Sequence, residues 1–167
     1  MLEFEFMQID YSDIVSPKDK RNREHTSAYS LLDKMLKKHG VSEYEISKNE
    51  NGKPYIEGAS VHFSISHTDG LCAVAVSDGE IGIDCEKIDS AYKSRVDNFS
   101  KKYFTVSEQN EIAGSEDTLA KFFEIWTRKE AYIKKYGLNS AHISRVDTTA
   151  HEFKTVLVGG YIITIFK

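Results

Sequence analysis

The chain has 167 residues, 40% hydrophobic and 29% charged, with 2 prolines and 2 cysteines. That composition is globular and excludes collagen-like, low-complexity and disordered chains, and a chain of this size buries roughly 70% of its unfolded surface without covalent staples. A formal net charge of −4, from 22 Lys+Arg against 26 Asp+Glu, argues against nucleic-acid binding, and Cys72 and Cys85 are too few for a disulfide framework or a cysteine-rich zinc site. No run approaches the ~18 apolar residues of a membrane span, and the acidic start, MLEFEFMQID, lacks a signal peptide's basic region. The expectation is a soluble, cytoplasmic protein with no membrane partner.

Leu2, Phe4 and Phe6 alternate with Glu3 and Glu5, the period of a half-buried strand. Ser16-Pro17 reads as a helix start, followed by a basic run at Lys18, Lys20, Arg21 and Arg23. Residues 26–39 form an amphipathic pattern, with Ala28, Leu31, Leu32, Met35 and Leu36 on one face and Gly40 as the stop. Asn51-Gly52 marks a tight turn before Lys53-Pro54-Tyr55-Ile56. Val61, Phe63 and Ile65 then alternate with His62, Ser64 and Ser66 up to a polar turn, Ser66 to Gly70. Residues 71–77, LCAVAVS, read as a buried strand, and Asp78-Gly79 reads as a hairpin turn into EIGIDCE, 80–86. The period of this last strand puts Gly82, Asp84 and Glu86 on one face, opposite Ile81, Ile83 and Cys85. Further on, Thr105 to Glu108 read as a capping box, and a long helix is expected over about 117–136, ending near Gly137. The C-terminus reads as a hairpin about Gly159-Gly160. The element order is that of an α+β fold.

On the long helix, Leu119, Phe122, Phe123, Trp126 and Ile133 form an apolar stripe that carries Glu130, with Lys134 one turn further on. Spacing alone leaves a solvated Glu–Lys pair and an inward functional carboxylate both open. Asp84, Glu86 and Glu130, with no His/Cys cluster, suit a hard cation such as Mg²⁺ that also takes phosphate oxygens. Lys134 could then neutralise charge on the same phosphate. Lys53 and His67 read by default as surface and turn residues, and the two thiols as packing groups.

GKPYI (52–56), HFSISHT (62–68), GIDCEKI (82–88) and FFEIWTRKEAYIKKYG (122–137) together resemble the Sfp-type 4′-phosphopantetheinyl transferases, over about residues 20–140. That resemblance implies transfer of the phosphopantetheine arm of coenzyme A to a serine of an apo acyl or peptidyl carrier protein, releasing adenosine 3′,5′-bisphosphate. It implies Asp84, Glu86 and Glu130 as ligands of Mg²⁺, with Mn²⁺ as an alternative. Lys134 is similar to the family lysine that contacts the diphosphate, and with Glu130 it makes up the implied catalytic pair. Ser66 and His67 resemble a pair lining the phosphates, and Lys53 and Pro54 resemble a loop beside the adenine and its ribose phosphate. Lys129 matches the motif without an assigned role. A docking surface for an acidic carrier is expected at Lys101, Lys102, Tyr103 and Phe104. The upstream half before Gly82 implies a monomer with two similar α+β halves, 1–79 and 80–167, and coenzyme A between them. The rival readings are an inactive module that binds coenzyme A or a carrier, and a metal-dependent phosphodiesterase. Lys87 stands out of register for the latter.

Overall fold

The computed structural model describes residues 1–167. β1 (Leu2–Gln8) leads to α1 (Pro17–Lys38), the short strands β2 (Ile46–Lys48) and β3 (Pro54–Ile56), then β4 (His62–Thr68) and β5 (Leu71–Ser77). β6 (Gly82–Lys87) is followed by a 3₁₀ turn at Ser90–Arg95, α2 (Val96–Tyr103), α3 (Val106–Ala113) and α4 (Thr118–Tyr136). Two more 3₁₀ turns, Ser140–Arg145 and Thr148–Ala150, precede β7 (Lys154–Val158) and β8 (Tyr161–Phe166). The fold is therefore α+β, as expected. Its strands form three antiparallel sheets, ordered β1-β5-β4, β2-β3 and β6-β8-β7. No helix is long and apolar enough to cross a membrane.

α1 starts at Pro17, well before the amphipathic pattern at residue 26. Ser16 caps it by accepting from the Asp19 N–H at 3.2 Å, and the fixed φ of Pro17 suits the first helical position. The expected hairpin about Asp78-Gly79 does not form. Both edges of β5 are already taken, by β1 and β4, so β6 crosses to a separate sheet and pairs with β8. Both faces of β5 are also covered: Cys72, Val74 and Val76 pack under α1, while Leu71, Ala73 and Ala75 meet Ile83, Cys85, Ile163 and Ile165 of the second sheet.

The other face of β6 lies against α4 at very short range. A Cβ on Gly82 would stand 1.8 Å from the Ala131 carbonyl oxygen and 2.7 Å from the Lys135 nitrogen, so only glycine lets helix and strand approach this closely. β6 is an edge strand, and its free edge is closed by β4. Ser64 Oγ accepts from the Ile83 N–H at 3.0 Å and Ser66 Oγ from the Cys85 N–H at 3.3 Å. The two strands thus join by side-chain hydroxyls in place of a backbone ladder, which removes the cost of unpaired amides in the core.

Lys129 is fully buried, and the motif residue turns out to be structural. Its Nζ lies 2.8 Å from Glu108 Oε2, donates to the Ile143 carbonyl at 3.1 Å and to that of Val146, and sits 5.5 Å from the Phe104 ring centroid. Glu108 also completes the capping box at Thr105 and accepts from the Thr148 N–H and Oγ1 at 2.9 and 2.8 Å. Burial draws the Lys129 pKa down while the Glu108 carboxylate opposes the shift. One ion pair therefore ties α3, α4 and the segment 143–148 together. Lys129→Ala is expected to lose about 3–5 kcal/mol in urea unfolding, because it strands a buried carboxylate. Lys129→Met with Glu108→Leu should recover much of that loss, and a loss under 1 kcal/mol for the single variant would rule out this account.

Candidate active site

The inward face of β4 and the α4-facing side of β6 bring Ser66, Asp84 and Lys134 into one contact. Ser66 Oγ donates to Asp84 Oδ1 at 2.8 Å. Lys134 Nζ lies 2.7 Å from the same carboxylate oxygen and 2.9 Å from Ser66 Oγ. The ion pair of Lys134 is thus made across the seam to Asp84, and no ion pair joins it to Glu130 one turn earlier. The solvated Glu–Lys pair that spacing left open therefore does not form. Burial works against the Lys134 ammonium, but the Asp84 charge and hydrogen bond outweigh it and raise its pKa.

Glu86 stands two residues along β6, where Thr68 Oγ1 donates to its Oε2 at 3.2 Å. Burial, and next the negative charge of Asp84, push its pKa up to about 7. Glu130 is raised in the same direction, again by burial first and then by Asp84. Asp84 Oδ2 is buried and has no hydrogen-bond partner. A buried carboxylate oxygen without a donor, beside two carboxylates that resist ionising, is a donor set that a hard divalent cation would satisfy. As the side chains stand, no group of three or more Asp, Glu, His or Cys converges closely enough to hold an ion.

The remaining expected residues divide by strand period. Ser66 faces the seam, whereas His67 points to the opposite face, exposed and 3.8 Å from Glu24 Oε2. Lys53 reaches across to the end of α4, donating to the Lys135 carbonyl at 2.5 Å and pairing with Glu80. The β2–β3 turn follows it, with Asn51 Nδ2 donating to the Gly137 carbonyl at 2.8 Å. Lys53, Pro54, Ser64 and Lys134 consequently share one cavity of about 220 Å³. The basic run lies in the first turns of α1, where Lys20 pairs with Asp69 at 2.5 Å and Arg23 with Asp13 at 2.7 Å. Lys101 and Lys102 are exposed, but Phe104 is a core residue stacked on Phe122 at 5.3 Å and cannot form part of a docking surface. Cys72 and Cys85 are buried free thiols, and burial pushes Cys85 to about 12, as suits packing groups.

Two contributors escaped the sequence reading. Thr68 continues the period of Ser64 and Ser66, so the strand pattern contained the signal. A larger cavity of about 620 Å³, bounded by Thr68 and Glu86 and floored by Phe99, Phe122, Phe123 and Trp126, had none, because its walls come from three separate segments. Ser64, Ser66 and Thr68 span about 13 Å along β4, so the smaller cavity, the Asp84 contact and the larger cavity follow one another in a line.

The raised pKa of Glu86 has a definite sign for stability. The folded chain holds a proton that the unfolded chain, with an ordinary value of 4.5, releases. Its stabilising contribution is therefore full below about pH 4.5 and lost as pH rises through about 7. Glu86→Gln is expected to raise the thermal midpoint at pH 8 in chelator-containing buffer, by about 2–4 °C for each kcal/mol of relieved strain, and to change little at pH 4.5. A difference between variant and parent that does not vary with pH would contradict this.

The 4′-phosphopantetheinyl transferase superfamily (ACPS) matches residues 80–164, the segment from the start of β6 into β8. Among characterised proteins, the chain is similar to the 4′-phosphopantetheinyl transferase gsp of Aneurinibacillus migulanus, 37% identical over 90 residues that cover 54% of this chain and 37% of the relative. It is 37% identical over 109 residues to the 4′-phosphopantetheinyl transferase AcpT of Salmonella typhimurium, covering 63% of this chain and 56% of that one. A 4′-phosphopantetheinyl transferase of Bacillus subtilis is 33% identical over 101 residues, 59% of this chain and 40% of the relative. The chain spans about half the length of these relatives or less. With the matched segment carrying Asp84, Glu86, Glu130 and Lys134, this chain belongs to the 4′-phosphopantetheinyl transferase superfamily.

Proposed function

We propose that the chain transfers 4′-phosphopantetheine from coenzyme A to a serine of an apo acyl or peptidyl carrier protein, releasing adenosine 3′,5′-bisphosphate. The observation that carries this reading is the Lys134–Asp84–Ser66 contact, with the orphaned Asp84 Oδ2, set between two cavities. A substrate with a charged diphosphate between two long arms matches that sequence of spaces. Its nucleotide end suits the smaller cavity, where Lys53 and Lys134 supply positive charge in a chain of net charge −4. His67, which the resemblance sets beside the 3′-phosphate, lies on the outer face of β4 against Glu24 and outside that cavity.

Asp84, Glu86 and Glu130 would hold Mg²⁺ or Mn²⁺, their side chains turning toward one another to do so. Bound there, the cation would neutralise the diphosphate and align it for attack. The residues of the chain carry the other steps. The serine oxygen forms a bond to the β-phosphorus as the bond from that phosphorus to the bridging oxygen breaks. Glu130 takes the serine proton, and the Lys134 ammonium offsets charge growing on the departing adenosine 3′,5′-bisphosphate. Asp84 and Ser66 hold Lys134 in place for that role.

We also read the chain as a cytoplasmic monomer of two similar halves, 1–79 and 80–167. The support is a shared strand order: each three-stranded sheet places its first, third and second strands side by side, with a helix between the first and second. The two orphan-free edges at β4 and β6 then meet at the reaction site.

Incubation with coenzyme A, Mg²⁺ and an apo carrier, read by intact mass, should add one phosphopantetheine to the carrier, and chelator should abolish the addition. Asp84→Ala, its fold checked by circular dichroism, should lose at least about 100-fold in turnover, and wild-type turnover in that variant would sink the assignment. Glu130→Gln at saturating Mg²⁺ should keep a kcat reduced by about 10²–10⁴-fold, the range for a lost general base. Recovery of normal kcat at high Mg²⁺ would confine Glu130 to metal binding.

A further inference from the structure

We propose that the larger cavity, beside Glu86, is a subsite for an apolar acyl group carried as a thioester on coenzyme A, so that the chain uses acyl-coenzyme A in preference to the free thiol. The inference rests on the transferase reading above and specifies its substrate. Its first support is position. With the nucleotide end in the smaller cavity, as the transferase reading has it, the uncharged arm leaves the diphosphate in the other direction, past Thr68 and Glu86.

The second support is the mismatch between that arm and the space it enters. The cavity measures about 620 Å³, against about 220 Å³ for the space beside Lys53. Asp69, Lys87 and Asp89 line its polar side, which suits the amides of the pantetheine arm. The floor is different in kind. Tyr92 meets Phe99 and Phe123 edge-on, at 6.2 and 5.7 Å between centroids, and Phe122 stacks on Trp126 at 6.5 Å. These rings brace one another, which keeps the space open. An aromatic floor has no use for a free thiol, whereas a hydrocarbon chain or aryl group gains by burial there. The transfer itself is unchanged: the thioester stays intact, and the carrier receives acyl-phosphopantetheine in place of phosphopantetheine.

The test compares coenzyme A, acetyl-coenzyme A and hexanoyl-coenzyme A, in equilibrium titrations and in transfer to an apo carrier read by intact mass. Each fully buried methylene tightens binding by about fourfold, so the four that separate acetyl from hexanoyl should lower Kd and KM by at least about tenfold. Ser90 is exposed and lines the cavity, so Ser90→Trp should narrow the cavity without disturbing the core and bring the hexanoyl-to-acetyl ratio close to one. Tyr92→Ala, which opens the mouth, should shift the preference toward longer chains. Equal Kd for the three compounds, with transfer intact, would overturn the subsite and leave the transferase reading standing. Chain-length-dependent binding without any transfer would support the subsite and defeat the transferase reading. If Ser90→Trp raised KM for the carrier and left acyl discrimination unchanged, the cavity would belong to the carrier and the proposal would fall.

Discussion

The molecule is organised around the seam where β4 closes the open edge of β6. An edge strand buried against a second sheet leaves amides that must find partners, and here two serine hydroxyls accept from Ile83 and Cys85. Because Ser66 also donates to Asp84, the same hydroxyl that closes the sheet orients the acidic side chain at the centre of the site. Thr68 does the equivalent for Glu86. The polar groups of the site are thereby the polar groups of the join between sheets, so the site cannot be positioned unless the two sheets are correctly docked.

α4 works against this seam with neighbouring residues that have opposite tasks. Lys129 turns into the interior, where Glu108 and two carbonyls satisfy it, and fastens α3 and the segment 143–148 to the helix. Glu130, next in sequence, lies about 100° round the helix and faces the carboxylates of β6. Gly82 sets the distance between helix and strand by having no Cβ, which brings Lys134 within reach of Asp84. The Gly-Ile-Asp sequence is in this sense one device: the glycine allows the close packing from which the aspartate benefits.

The electrostatic balance at the seam sets one lysine against several acidic side chains. Glu86 and Glu130 stand near Asp84 and one lysine, and burial, followed by the Asp84 charge, raises both, so each gives up part of its negative charge to a bound proton. Most other basic side chains near the site are already paired, among them Lys20, Arg23 and Lys87. Under the proposed function, a divalent cation held by Asp84, Glu86 and Glu130 would relieve these carboxylates and leave Lys134 available to a phosphate.

Much of this was legible in the residues alone. The period of two in HFSIS and GIDCE named the faces of β4 and β6, the Thr105–Glu108 box and Gly137 bounded the helices, and the Gly159-Gly160 turn marked the last hairpin, because all of these depend on contacts within a few residues. The strand face of Asp84 and Glu86 and the helix face of Glu130 and Lys134 followed from spacing for the same reason. Long-range pairing decided the rest. Nothing local to Asp78-Gly79 reveals that both edges of β5 are occupied, and nothing in Trp-x-x-Lys-Glu reveals that its lysine is bound to Glu108, 21 positions earlier in the chain. The partner of Lys134 was likewise a tertiary choice between Glu130 on its own helix and Asp84 across the seam. It went to Asp84 because Gly82 lets the helix lie close enough for that contact to form.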